Sequence, residues 1–309
     1  MATDSKNSRR QKIVAGASIT LTALIVIAIV TGVVLGRRAI DDRAVRVSDA
    51  LPPVVQIEWP RLGEGSQATA RTWLPEAFQD ELLRLAYTAL GTPDRKVAVP
   101  IGSDELAAVG EALGTSGWFD SKPSVTREPG RLIRVSGRWR VPVAVIRHAG
   151  KDYLIASDGR PMPPVYPAGQ SNLSVVLGVQ ASPPLTETGA VDCLKVWPGA
   201  DLQAGLELLA LALNQPWRDQ VAGVDVASHR EDKRTAIVTK RDTRVIWGGR
   251  PTQPLLGEAS TIKKLAQIEF LNRNFKSIDA GKPEVEIFWE SRPMVINAAA
   301  SAQPESPDQ

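Results

Sequence analysis

Side chains able to do chemistry are few in this 309-residue chain, and they are scattered. There are two histidines, His148 and His229, and one cysteine, Cys193. Neither histidine lies in a nucleophile-elbow, Walker or zinc-ligand spacing, and each reads as a solvated surface imidazole, His148 at a strand end and His229 in a charged loop. A lone cysteine closes no intrachain disulfide, and a metal site would have to draw on the two histidines and carboxylates. Cys193 reads instead as a small buried apolar residue. Adjacent carboxylates occur at Asp41-Asp42 and Glu231-Asp232. Each pair is flanked by Arg or Lys in a stalk or turn, where water keeps a carboxyl pKa out of the catalytic range. The sequence therefore predicts no catalytic, cofactor-binding or metal-binding residue, and a protein that is not an enzyme.

Charge excludes a nucleic-acid role. Lys6, Arg9, Arg10 and Lys12 against Asp4 give the first twelve residues +3, which equals the formal charge of the whole chain. Setting those four bases and one acid aside from the 37 and 34 leaves 33 of each sign, so no basic binding face remains to be explained.

The elements that must carry any function begin with Ile13 to Leu35, an uncharged run of 23 residues. As a helix it would extend roughly 35 Å, enough to cross a hydrocarbon core of about 30 Å. The run exceeds a signal-peptide core and ends on Gly36-Arg37-Arg38, so it predicts a retained anchor over 13–36. Basic residues flank it on both sides and the positive-inside count is tied. The mass of the chain follows the span, which predicts residues 1–12 in the cytoplasm and the remainder outside. Gly32 and Gly36 are spaced as in helix-packing motifs, a pattern also common by chance in membrane helices.

After a charged stalk over 37–51 the pattern predicts an α+β ectodomain in two parts. The first, 52–138, reads strand, helix, helix, strand, strand. Val54 to Trp59 forms the first strand. Leu74 to Leu90 is a helix with Phe78, Leu82, Leu85 and Ala89 on one face, and a second helix opens at Ser103 as its cap. Two strands then flank Pro129-Gly130. The second part, 139–297, is strand-rich: Val141 to Arg147, Tyr153 to Ala156, a hairpin of Ile237 to Lys240 with Arg244 to Trp247, and a final strand Val285 to Trp289. Pro-rich loops follow Asp158-Gly159. Two helices interrupt, Leu202 to Leu213 capped by Asp201, and Glu258 to Phe275 with Leu265, Ile268, Leu271 and Phe275 as its apolar stripe. Trp118, Leu132, Ile133, Val143 and Val145 are expected to include core residues linking the two parts. Residues 298–309 have the composition of a disordered tail.

Several strings in this order resemble the bacterial cell-division proteins of the FtsQ/DivIB type. Arg140-Val141-Pro142-Val143-Ala144 is similar to that family's Arg-x-Pro-Val-Ala junction. Ala156-Ser157-Asp158-Gly159 stands for its Asp-x-x-Gly turn, with Ala156 in place of Asp, and Leu173 to Gly178 for its Leu-Pro-x-x-x-Gly loop, with Ser174 in place of Pro. Val245-Ile246-Trp247-Gly248, then Ile262-Lys263-Lys264-Leu265, and Ile278-Asp279 follow in the family's order. The likeness covers roughly residues 1–290; the stretches Arg61 to Thr72 and Pro183 to Gly199 depart from it.

The resemblance implies a POTRA domain followed by a β domain in a single-pass protein of the bacterial inner membrane. It further implies a non-catalytic scaffold of the divisome that controls septal wall synthesis. The implied partners are small single-span coiled-coil proteins of the FtsB and FtsL type, with a POTRA-side contact to other division components and no cofactor. An envelope-assembly or secretion-channel docking component with a similar module is the alternative in the same class, and an unrecognised envelope hydrolase the alternative in another. In that family the last strands of the β domain receive the partner, which points to Val285, Glu286, Ile287, Phe288, Trp289 and Glu290. Alternation places Val285, Ile287 and Trp289 on one face, suited to a core, and Glu286, Phe288 and Glu290 on the other. Pro283 and Pro293 bracket the segment, as expected of a strand with a free edge.

Overall fold

The structure, a computed structural model, describes residues 52–61, 72–98, 101–290 and 294–296, the last by backbone alone. The predicted tail, span and stalk, the C-terminal tail, and most of the stretch between Arg61 and Thr72 lie outside the described residues. Among the described residues no helix is long and apolar enough to cross a membrane. They are mixed α+β, strand-rich with few helices, and divide into two compact units. One holds the described residues up to Gly110 together with Ser124–Ser136; the other holds Glu111–Pro123 and the described residues from Gly137 onward.

The first unit runs β1 (Val54–Ile57), α1 (Glu76–Ala89), α2 (Ser103–Gly114, shared with the second unit), β2 (Ser124–Glu128) and β3 (Leu132–Ser136). Its sheet has the order β1-β3-β2, with β3 antiparallel to β2 and parallel to β1. Pro129-Gly130 makes the β2–β3 reversal because Gly130 takes φ 77° without a Cβ clash. A parallel pair needs a long crossover, and the helices lie between β1 and β3 in the chain. The buried face of α1 is Leu82, Ala86 and Tyr87, one step round from the predicted stripe. Ser103 does not cap α2: it lies inside the helix, and Glu105 reaches back to accept from the Gly102 N–H at 2.8 Å.

The second unit contains β4 (Pro142–His148), β5 (Lys151–Ala156), β6 (Pro161–Pro167), β7 (Val175–Leu177), α3 (Ala200–Leu213), β8 (Val221–Asp225), the single-turn α4 (His229–Asp232), β9 (Thr235–Thr239), β10 (Arg244–Gly248), α5 (Thr261–Phe275), β11 (Glu284–Glu286) and β12 (Met294–Ile296). Among the described residues these strands make one nine-stranded sheet, ordered β12-β11-β10-β9-β8-β7-β4-β5-β6. Short turns join β4 to β5, β5 to β6 and β9 to β10, and α4 lies between β8 and β9. The parallel pairs β7–β8 and β10–β11 are linked through α3 and α5, as parallel geometry requires. Both helices cover the sheet. Leu202, Leu208, Leu209 and Ala212 of α3 and Ile268 and Leu271 of α5 join one core with Ile146, Ile155, Val176, Val224, Ile237, Val245, Trp247 and Val285. Each such burial contributes about 1.5–3 kcal/mol. Gly205 lets α3 approach closely: a Cβ there would lie 2.9 Å from Val226 and 3.1 Å from Val176.

Several expectations are corrected here. The supposed Pro-rich loop after Gly159 is strand β6, and Val175–Leu177, read within a loop, is strand β7. Asp201 does not cap α3. Gly199 does, at φ 115°, while the Asp201 carboxylate accepts from the N–H groups of Gln180 and Leu202. α5 starts at Thr261 behind Ser260, whose side chain accepts from the Lys263 N–H, and Phe275 is exposed. Of the five residues expected in the core, Trp118, Ile133 and Val145 are buried; Leu132 and Val143 are partly so.

Candidate partner-binding edge

The nine-stranded sheet ends on two very different strands. β6 reads Pro-Met-Pro-Pro-Val-Tyr-Pro, so four of its seven residues have no N–H to offer a neighbour. Its pairing with β5 also shifts register between Tyr153 and Leu154. A bulged, proline-filled edge cannot template another strand. β12 reads Met-Val-Ile, with no proline and no charge. It is antiparallel to β11, with Val295 opposite Val285. No strand among the described residues pairs with its outer side. In an antiparallel ladder successive residues point their N–H and C=O groups to alternate sides, so this outer side presents backbone donors and acceptors.

Of the six residues singled out from sequence, Val285 and Glu286 lie one strand further in, and the predicted strand to Trp289 stops at Glu286, with 287–290 outside any strand. Glu284–Glu286 is paired on both sides, with β10 and with β12, so its backbone edge is not free. Val285 and Ile287 are in the core as the alternation predicted. Glu286 and Phe288 are also buried, whereas Trp289, expected inside with Val285, is 41% exposed. Phe288 packs edge-on against Trp289, with ring centroids 4.8 Å apart, and the Arg234 guanidinium lies over the Phe288 ring, 4.8 Å from its centroid. Glu290 is exposed and pairs with Lys263 at 2.7 Å, while the Gln267 amide donates to the Trp289 carbonyl at 3.0 Å. Of these six residues Val285 and Glu286 pair with the edge strand, and the other four follow them along the chain. Met294–Ile296 is the segment the sequence reading missed: three residues are too few to show an alternation, and the run of apolar side chains after Pro293 was the available signal.

Polar clusters fix both ends of the sheet. At the open end Asp279 is fully buried and accepts from Ser277, from Thr243 at 2.5 Å, from the Gly281 N–H at 2.8 Å, and from Arg241. Burial alone would raise its pKa; these donors outweigh it and bring the carboxyl to about 2. At the closed end the buried Asp152 accepts from Arg147 at 2.8 Å and from the Gly169 N–H at 2.7 Å. Burial opposes and these partners prevail, so its pKa too is lowered. A polar cleft of about 220 Å³ between β8, β9, β10 and β11 brings Arg244 to Asp225 at 2.8 Å and Arg234 to Glu286 at 3.8 Å and to Asp232 at 3.5 Å; with Glu284 its lining carries more carboxylates than guanidinium groups.

The remaining sequence-level candidates do not converge. His229 is buried and not solvated; burial, then Lys233, lowers its pKa. His148 is half-buried, 3.4 Å from the Val179 carbonyl. Burial pushes the Cys193 thiol up to about 11. An apolar cavity of about 980 Å³ beside α3, walled by Trp197, Leu202, Leu206 and Leu213, includes no His, Cys or Lys in its lining. Its two acids are ion-paired, Glu207 with Arg250 and Asp158 with Arg160. Among the described residues no group of three or more His, Cys, Asp or Glu could hold a metal ion. No family model matches the chain, and no curated protein matches it.

Proposed function

We propose that this chain is a non-catalytic, single-span scaffold of the bacterial division machinery, similar to the FtsQ/DivIB type. Its first part is a POTRA-like domain over 52–138 and its second a β domain over 139–297, both outside the inner membrane. The β domain receives an extended segment of a small single-span coiled-coil protein, of the FtsB or FtsL kind, as a tenth strand along Met294–Ile296. Main-chain bonds to an open edge supply affinity in this mode of recognition, and neighbouring side chains supply selectivity.

The observation that carries the reading is the asymmetry of the sheet: one terminal strand is blocked by four prolines, and the other has an apolar sequence and an outer side that no strand among the described residues pairs. A terminal strand of apolar sequence is a liability unless something covers its edge. The order of elements in the first unit, with β3 between a parallel β1 and an antiparallel β2, supports the POTRA-like part.

The test compares the tagged full chain with a chain ending at Glu290, each purified from detergent-solubilised envelopes. A single-span coiled-coil protein is expected with the full chain and not with the shortened one. Equal recovery by a shortened chain that still melts cooperatively would sink the edge reading. Protease added to intact spheroplasts is expected to remove both domains, and full protection would overturn the orientation.

A further inference from the structure

One buried ion pair in the second unit is placed where it controls the backbone next to the open edge. Lys264 of α5 and Glu258, just before that helix, have side chains 1% and 0% exposed, and their Nζ and Oε1 atoms are 2.5 Å apart. The Lys264 ammonium also lies 4.7 Å from the centre of the Trp247 ring. The Glu258 carboxylate further accepts from the Gly249 N–H at 2.7 Å and from the Leu255 N–H. Three donors from three segments therefore converge on one carboxylate.

The next residue continues the chain of contacts to the edge. The Ala259 N–H donates to the Phe288 carbonyl at 3.0 Å, and the Ile287 N–H donates to the Ile246 carbonyl at 3.2 Å. Between them Gly248, at φ 99°, leaves no room for a side chain, because one would collide with the Glu258 carboxylate and the Phe288 ring. The backbone that grips Ile287 and Phe288 is thus fixed by Glu258. That stretch follows β11 directly, and β11 carries β12.

A buried ion pair is seldom the most stable solution, since apolar residues of similar volume are often equal or better. What a carboxylate adds is direction: it selects the positions of three donors, whereas an apolar side chain only fills space. We propose that Glu258 and Lys264 are positioning residues for the partner edge, setting the placement of Ile287–Phe288 and through it the register of β11 and β12. This inference rests on the edge reading for its functional consequence, but its structural half has a separate readout.

The test is amide hydrogen exchange of the full-length chain in detergent micelles, comparing wild type, Glu258→Gln and the double variant Glu258→Leu/Lys264→Met. The double variant avoids an unpaired buried charge but takes the acceptor from the Gly249 and Leu255 N–H groups, so it is expected to melt lower than wild type while remaining cooperatively folded, with the amides of 284–288 and 294–296 exchanging about tenfold faster relative to the rest of the second unit. It should also recover less of the coiled-coil partner in the pull-down above. Glu258→Gln keeps a directional acceptor but removes the counter-charge of the buried Lys264, so it is expected to melt lower than wild type while the amides of 284–288 stay as protected relative to the rest of the second unit as in wild type; should the double variant fail to fold, selective loss of protection at those amides in this variant would count against the proposal. Unchanged protection over 284–288 and 294–296 in a folded double variant overturns it. A shortened chain that still recovers the partner overturns the edge reading instead, whatever the exchange shows.

Discussion

The two terminal strands of the nine-stranded sheet, β6 and β12, face the same problem of unpaired backbone and meet it in opposite ways. β6 removes its donors with Pro161, Pro163, Pro164 and Pro167. β12 keeps its backbone available and surrounds it with order: β11 is paired on both sides, Phe288 is clasped by Ala259 and Arg234, and α5 is pinned by the buried Lys264–Glu258 pair. The first unit blunts an edge by a third route, since the Val55 N–H of β1 donates to the Tyr87 hydroxyl at 3.0 Å. The contrast teaches that an open edge is informative only beside closed ones, because a chain that protects other edges has the means to protect this one.

The largest way to disturb the open end is to break its buried ion pair from one side. Glu258→Leu leaves Lys264 buried without a counter-charge, and is expected to cost about 3–5 kcal/mol in urea unfolding. Burial already pulls the Lys264 pKa below the ordinary lysine value, with Glu258 opposing. In the variant, stability should therefore recover as pH rises toward the free lysine pKa of about 10.4, where the unfolded state also loses its proton. A loss under 1 kcal/mol would mean that the open end is not organised by this pair.

Acid gives the next effect. The Asp279 carboxyl is depressed to about 2, so its contribution is complete above the unfolded carboxylate pKa near 4 and disappears as pH falls through the folded value. Against an ordinary value of 3.8, that depression corresponds to about 2 kcal/mol at neutral pH. Asp279→Asn should lose that amount at pH 7 and flatten the stability curve between pH 4 and 2. An unchanged curve would separate Asp279 from the stability of this end.

A smaller and more selective change makes the open edge resemble the closed one. Successive residues of β12 alternate between facing β11 and facing outward, so one of Val295→Pro and Ile296→Pro removes an outward N–H. That variant should weaken partner recovery about tenfold, roughly the 1.4 kcal/mol of one lost main-chain contact, with little change in melting. The converse, Pro161→Thr with Pro167→Thr, should raise self-association in sedimentation by restoring donors to β6. If neither substitution moves association, proline content is not what separates the edges.

Much of this comparison was legible in the sequence, but its decisive part was not. Pro129-Gly130 and Asp158-Gly159 announced their turns because φ above zero at a glycine is a local property. The stripe of α5 was readable at Ile268 and Leu271, while Lys264 on the buried side was invisible to a rule that counts apolar residues. The prolines of β6 read as loop because being an edge strand is a fact about neighbours, which no local pattern carries. Val285 and Ile287 were placed correctly in the core by alternation. Their role as the terminal strand failed for the same reason as β6: the pairing of Val295 with Val285 is tertiary information.

The most direct test of the account places a photo-crosslinking residue at Val295 of β12 and, in a separate chain, at Val165 of β6, and irradiates living cells producing each. The account predicts an adduct with a small single-span coiled-coil protein from position 295 and none from position 165. Adducts of that protein from both edges, or from 165 alone, would contradict it.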